Sequence, residues 1–381
     1  MRLARSWSRP DLIAVHGFYG MGNVGDEAIL GATLQAIRKV GATPAVLAWE
    51  SSAVARDWEV SVADARGRGR DVLRLLSGSR ALLLGGGGLL KDFGNTSESL
   101  ERWLRWLDVA ARNGIGTMTW SVGVEKLVHP RSVQRLVETL SRLDVVTVRD
   151  DDSADRLRRL GLQRDVVVTA DPVPAFVRPL RSVRDARTSG SRTRIAVAPR
   201  HWFATGHSTE DAEVFDRFVS NLAKALDTLA HQADAEVVFV PFRSVPHDDD
   251  REASREIADR MSWPDVTVLD DPAPTIDATV SRLAHADVVV AMRLHAAVIG
   301  TTLGVPTVGL SYAPKVESYM TEIGLGDYCA DLKNMSTGWL VERTRRALEE
   351  KEELAKSLIL RTDELADRFE MNVRLLREIA S

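Results

Sequence analysis

The sequence predicts an α/β protein built of two doubly wound, Rossmann-like domains facing each other across a cleft. Three observations carry that expectation. Short β-rich runs alternate with stretches of helical periodicity along most of the 381 residues. The strand runs show few polar alternations, which suits parallel sheets covered on both faces. The pattern also stops at a polar stretch, "RPLRSVRDARTSGSRTR", and then begins again. A chain of this length can bury two full cores.

In the first half the strand candidates are "LIAVHG", "TPAVLAW", "ALLLGG", "TMTWSV", "VVTVR" and "VVVTADP". Helical spacing of apolar residues marks "DEAILGATLQAIRKV" and "SESLERWLRWLDVAARNG" between them. Trp103 and Trp106, three apart on the latter, read as core rather than as sugar-stacking platforms. In the second half the strands are "RIAVAPR", "AEVVFVPF", "VTVLD", "DVVVAM" and "PTVGLSY". The end reads as two charged helices, "VERTRRALEEKEELAKSL" and "TDELADRFEMNVRLLREIA", with solvated faces. The expected organisation is an N-terminal domain over 1–180, a linker over 181–193 and a C-terminal domain over 194–355. A helix over 356–381 follows, free to pack back on the N-terminal domain.

Composition narrows the function. A net charge of −4 gives no support for a nucleic-acid partner. One cysteine, Cys329, allows no internal disulfide and fits a cytoplasmic protein. No apolar run reaches membrane-spanning length and no export signal is expected, although contact with the inner face of a membrane stays open. HExxH, GxxxxGK[ST], GxSxG and Cys/His clusters are all absent from the sequence, so neither a metal nor a cofactor is expected.

Ligands of doubly wound sheets bind beyond the carboxyl ends of the strands. The first such end carries "HGFYGMGNVGDEAIL", in which Gly20, Gly22 and Gly25 make a G-x-G-x-x-G. A plain tight turn would use these glycines for backbone freedom alone. A dinucleotide loop would gain a ribose-binding acid in Glu50. Asp26 and Glu27, however, sit in the first helical turn, where they occupy the positive helix end and repel phosphate. What remains is a hydroxyl-rich ligand met by Asn23, Asp26 and Glu27. The next loop has four glycines, Gly85 to Gly88, with Asp92 and Asn95 as polar candidates and Ser97 as a helix cap.

Further strand ends carry positive charge. Arg149 ends "VVTVR", with Asp150 to Asp152 starting the next helix. Arg293 and His295 stand where "DVVVAM" meets a helix of small residues, and Lys315 follows "SYAP". Arg200 ends "RIAVAPR" and His201 follows it in "APRHW", both as candidate anion contacts. Together Arg149, Arg293, His295 and Lys315 would form a positive pocket with one proton carrier, suited to a small multiply charged anion. "PHDDD", His247 to Asp250, has metal-ligand composition but reads better as an acidic helix start.

On "GFYGMGNVGDEAIL", "LLLGGGGLLKD", "VRDDDSADRL", "MRLHAAV" and "SYAPKVESY", in that order, the chain resembles the polysaccharide pyruvyl transferase family. The resemblance implies a two-domain fold like that of GT-B glycosyltransferases and transfer of pyruvate from phosphoenolpyruvate to a saccharide as a ketal. It implies that Arg149, His295 and Lys315 are donor-site residues, with Arg293 in the same Arg-x-His motif. Arg200 joins them as a donor contact, and Asn23, Asp26, Glu27 and Asp92 are expected on the acceptor side. His295 is the expected proton carrier, its role open to division with Asp26 or Asp92. Lipid-linked saccharides are among the acceptors to consider. Two alternatives remain: a GT-B glycosyltransferase with a nucleotide-sugar donor, and a saccharide-binding protein without activity.

Overall fold

Runs that are apolar on both faces settle into parallel sheets here, because only layers of helix on each side can cover them. The computed structural model describes residues 11–66, 69–92, 98–185, 192–201, 209–246, 248–271 and 273–380. Asn95, Ser97, His247 and part of the expected linker lie outside them.

The chain divides into two units. The first holds Met1–Met21, Asp26–Ala175 and Leu365–Ser381. Its sheet has eight strands: β1 (Leu12–His16), β2 (Thr43–Ala48), β3 (Ser61–Asp64), β4 (Ser79–Leu84), β5 (Gly87–Leu90), β6 (Gly116–Val124), β7 (Val145–Val148) and β8 (Val167–Val168). They run parallel in the order β3-β2-β1-β4-β6-β7-β8, with β5 paired to β6. Every residue of β1 is buried. Trp103, Leu104, Trp106 and Leu107 of the helix Glu98–Arg112 bury against this sheet, so both tryptophans are core.

The second unit holds Gly22–Gly25 and Phe176–Glu364. Its strands are β9 (Arg194–Ala198), β10 (Glu236–Phe239), β11 (Ser244–Val245), β12 (Asp248–Asp249), β13 (Val266–Val268), β14 (Val288–Ala291), β15 (Thr307–Ser311) and β16 (Cys329–Asp331). Six form a parallel sheet in the order β13-β10-β9-β14-β15-β16, while β11 and β12 make a small antiparallel pair. Strand order reverses between β1 and β4 in the first sheet and between β9 and β14 in the second. Such switch points leave a crevice beyond the strand ends. In the second unit the helix Leu294–Thr302 starts just past β14 at this switch point, and its residues are all buried except His295. Gly300 lets that helix approach the sheet, since an added methyl would press on Thr307 and Val289.

Three expectations need correction. The strand expected over "VVVTADP" is two residues long: Thr169 N–H still donates to Val148 O, but Asp171 accepts from Val173 N–H and opens the helix Val173–Val177. Phe176–Asp185, placed at the end of the first domain and in the linker, groups with the second unit and is partly helical. The C-terminal helices divide at Glu350, giving Thr337–Glu349 and Lys351–Ala380. Nothing after Glu350 stops a helix: the 30 residues of the last one contain neither glycine nor proline. Its end packs in the first unit, where Phe369 meets Trp120 edge-on and Asn372 bonds Thr147 and Ser121. Among the described residues no helix is long and apolar enough to cross a membrane.

Candidate active site

The loop after β1 needs its glycines for different reasons. Gly20 and Gly22 take positive φ, 78° and 64°, which a side chain would strain. Gly17 and Gly85 make room for the buried ring of Tyr19. Gly25 has ordinary backbone angles, but a methyl there would fall inside the imidazole of His295. Asn23 Oδ1 accepts from Gly25 N–H at 3.0 Å and so opens the helix Val24–Lys39. Asn23 also bridges to Arg243, and Val24 N–H donates to Phe242 O at 3.0 Å.

The acids expected to meet an acceptor have other attachments. One Glu27 oxygen accepts from Gly20 N–H at 2.7 Å and the other from the Trp58 indole at 3.1 Å. Burial raises the Glu27 carboxyl to about 7, against the pull of those two bonds. Glu27 therefore ties the glycine loop to the helix Ser51–Trp58 rather than standing ready for a ligand. Asp92 Oδ2 accepts from Val128 and His129 N–H at 2.7 and 2.9 Å, so it shapes the turn before the helix Pro130–Leu140. Asp26 lies by Gly87, where an added methyl would come within 3.3 Å of its carboxylate.

Arg149 begins just past β7 and is only 7% exposed. It donates to Asp150 at 2.9 Å and pairs with Asp171 at 3.7 Å. These carboxylates outweigh burial and hold the guanidinium charged. Gly123 lies against it, with no room for a side chain that did not displace the guanidinium.

In the second unit, four neighbouring strands deliver cations to one end of the sheet. Arg200 follows β9, Arg243 follows β10, Arg293 follows β14 and Lys315 follows β15. Arg293 is the most deeply held. Its Nε lies 3.1 Å from Asp250 Oδ2 and its Nη2 lies 2.9 Å from Asp248. Asp250 is fully buried and also accepts from Phe242 and Arg243 N–H, each at 3.1 Å. Arg293 is thus not a bare anion clamp: its charge is matched inside the protein, where an unpaired one would be very costly. The acidic run does start a helix, with Asp249 capping Arg251 N–H, but it also supplies these counter-ions.

Sequence reasoning assigned nothing to Tyr312 or Arg243, and read Asp248 and Asp250 only as part of an acidic helix start. Arg200 donates to the Tyr312 hydroxyl at 2.9 Å and lies 5.1 Å from its ring centre. Lys315 Nζ lies 5.8 Å from the same ring. Burial alone would raise the phenol, but Lys315, Arg200 and Arg293 outweigh it and bring it down to about 8. Arg243 pairs with Asp248, and Arg200 Nε stands 3.6 Å from the same carboxylate. Burial would raise Asp248 as well, yet Arg293, Arg200 and Arg243 hold it below the usual carboxylate value. That Arg200 Nε–H is buried with no hydrogen-bond acceptor among the described residues. His201 instead packs edge-on to Phe215. Arg200, Arg243, Arg293 and Lys315 thus stand at this end of the sheet with Asp248 and Asp250 among them. The strand-end rule could have found Arg243 and Tyr312, since both follow directly on apolar strands.

A family model described as polysaccharide pyruvyl transferase matches residues 23–314. No curated protein matches the chain in sequence. Among solved structures, UDP-GlcNAc 2-epimerase from Neisseria meningitidis superposes with a TM-score of 0.58 at 13% identity, over 96% of this chain and 99% of that one. UDP-GlcNAc 2-epimerase from Methanocaldococcus jannaschii gives 0.57 at 11% identity, over 88% and 92%. A glycosyltransferase from Rickettsia africae gives 0.57 at 10% identity, over 98% and 99%. At these identities the likeness is one of fold.

Proposed function

The chain belongs to the polysaccharide pyruvyl transferase family, and on that premise we propose that it moves pyruvate from phosphoenolpyruvate to a saccharide as a ketal, releasing phosphate. One observation supports the donor above others: cations from four adjacent strand ends gather with two carboxylates between them. Phosphoenolpyruvate carries a carboxylate and a phosphate, and a positive site of this kind suits both. Arg200, whose buried Nε–H meets no hydrogen-bond acceptor among the described residues, and Lys315 are the proposed anion contacts. The helices Leu294–Thr302 and Pro314–Glu322 both begin at these strand ends, and helix N-termini favour anions.

Arg293 positions rather than binds, fixing the turn that carries His295. His295 is the proposed donor of the proton to C3 of phosphoenolpyruvate. The cationic centre that this creates at C2 is attacked by one saccharide hydroxyl. Phosphate departs, and a second hydroxyl closes the ketal. Arg149 is assigned to the donor on its motif position alone. Asn23 and Asp26 are the remaining candidates for acceptor hydroxyls, with Glu27 and Asp92 shaping the loops beside them. The acceptors to try include lipid-linked saccharides presented at the cytoplasmic face of a membrane.

Thermal unfolding with phosphoenolpyruvate or UDP-GlcNAc tests the donor. Stabilisation by phosphoenolpyruvate that Lys315→Ala abolishes supports the proposal. Stabilisation by UDP-GlcNAc alone favours a nucleotide-sugar transferase instead.

A further inference from the structure

The proposed reaction leaves a proton to be accounted for. Two acceptor hydroxyls each lose one as the ketal forms. One proton ends on C3 of the donor, turning its methylene into a methyl group. The other must reach the oxygen that leaves with phosphate as the C2–O bond breaks. His295 serves the first transfer, so the second calls for another proton carrier or a second use of the same imidazole.

Tyr312 stands where such a carrier is needed. It follows β15 directly, between Arg200 and Lys315, the two proposed anion contacts. Its bond with Arg200, 2.9 Å long, uses the phenol oxygen, because a guanidinium has no lone pair to accept with. The phenol hydrogen is left for another acceptor. Cations on both sides stabilise the phenolate that forms when the hydrogen leaves. Burial opposes that ionisation, but the cations prevail and lower the phenol to about 8, close enough to neutral pH for proton transfer in both directions.

We infer that Tyr312 is a catalytic residue: its hydroxyl protonates the bridging oxygen of the departing phosphate. The C2–O bond breaks with its electron pair going to that oxygen, and the phenolate takes the proton of the second saccharide hydroxyl as its oxygen bonds to C2. Atoms and charge balance over the cycle, with no co-reactant. The inference rests on the pyruvyl-transfer reading of the site.

Tyr312→Phe is the test, because it keeps the ring between the two cations and removes only the hydroxyl. With phosphoenolpyruvate and an active acceptor, kcat for phosphate release should fall roughly 100- to 1,000-fold while KM for phosphoenolpyruvate stays within about threefold. Wild-type kcat/KM for phosphoenolpyruvate should decline above a pH of about 8, and the variant should lack that limb. A kcat within about threefold of wild type, or a raised KM alone, overturns the inference. A second measurement stands apart from turnover. Ultraviolet titration should show one tyrosine ionising at about 8 in wild type and not in Tyr312→Phe. Inorganic phosphate should raise that midpoint, since a bound anion opposes the phenolate. If wild type releases no phosphate with any acceptor, the pyruvyl-transfer reading fails. The titration then judges Tyr312 separately: no such tyrosine, or no response to phosphate, overturns its role beside an anion.

Discussion

The imidazole of His295 occupies the space that a side chain at Gly25 would take. The last glycine of the G-x-G-x-x-G loop is therefore defined by a histidine 270 residues away (295 − 25). Its backbone angles play no part, unlike those of Gly20 and Gly22. Gly25→Ala should keep the fold, because alanine suits a first helical turn, but it must displace the ring. A shift on the order of 1 Å at a reacting group can cost about 100-fold in rate. Phosphate release should fall by about that factor with little change in unfolding temperature. An active Gly25→Ala enzyme would show that His295 is not held by this contact.

Arg293 and Asp250 form the most buried ion pair in the described part of the second unit. Replacing one partner strands the other in the core. Asp250→Asn should destabilise the protein by about 3–5 kcal/mol, and Asp250→Asn with Arg293→Met should recover part of that. Urea unfolding of the two variants measures it. Equal losses in both would show that the charge of Arg293 is not the issue.

Glu27 gives a stability signature in pH. Its folded-state value, about 7, lies above the ordinary carboxyl value of 4.5. A raised acid contributes stability that is complete below the unfolded value and is lost as pH rises through the folded one. Between pH 5 and 7 wild type should lose about 2 kcal/mol that Glu27→Gln does not lose. Urea midpoints across that range check it, and parallel curves would contradict the burial argument.

Much of the fold was legible because strands buried on both sides read as continuous apolar runs. The placing of Arg149, Arg200, Arg293, His295 and Lys315 at or just past strand ends was legible from the apolar runs before them. The partners of those residues were not. Arg293 and Asp250 are 43 residues apart and meet only because β10 and β14 flank β9. Glu27 likewise looked like a ligand group, since nothing in the local sequence announces Gly20 and Trp58 as its partners. The break at Glu350 carries no glycine or proline to mark it, so the C-terminal helices were divided too late.

Lys315 and Arg200 should separate donor from acceptor. Charge-assisted hydrogen bonds contribute about 1.5–3 kcal/mol, so Lys315→Ala and Arg200→Ala should each cost roughly 10- to 100-fold in kcat/KM for phosphoenolpyruvate. The KM for the saccharide should barely change. Steady-state kinetics with each substrate varied in turn measures both, and an equal loss for the saccharide would move these cations to the acceptor.

The most direct measurement is on the product. The protein is incubated with phosphoenolpyruvate and a panel of glycosides and lipid-linked saccharides, with His295→Ala as control, and products are read by NMR. The account predicts a saccharide bearing a ketal methyl group, with phosphate released in equal amount and neither formed by the variant. Sugar transferred from a nucleotide donor, with phosphoenolpyruvate left intact alongside every acceptor, would contradict it.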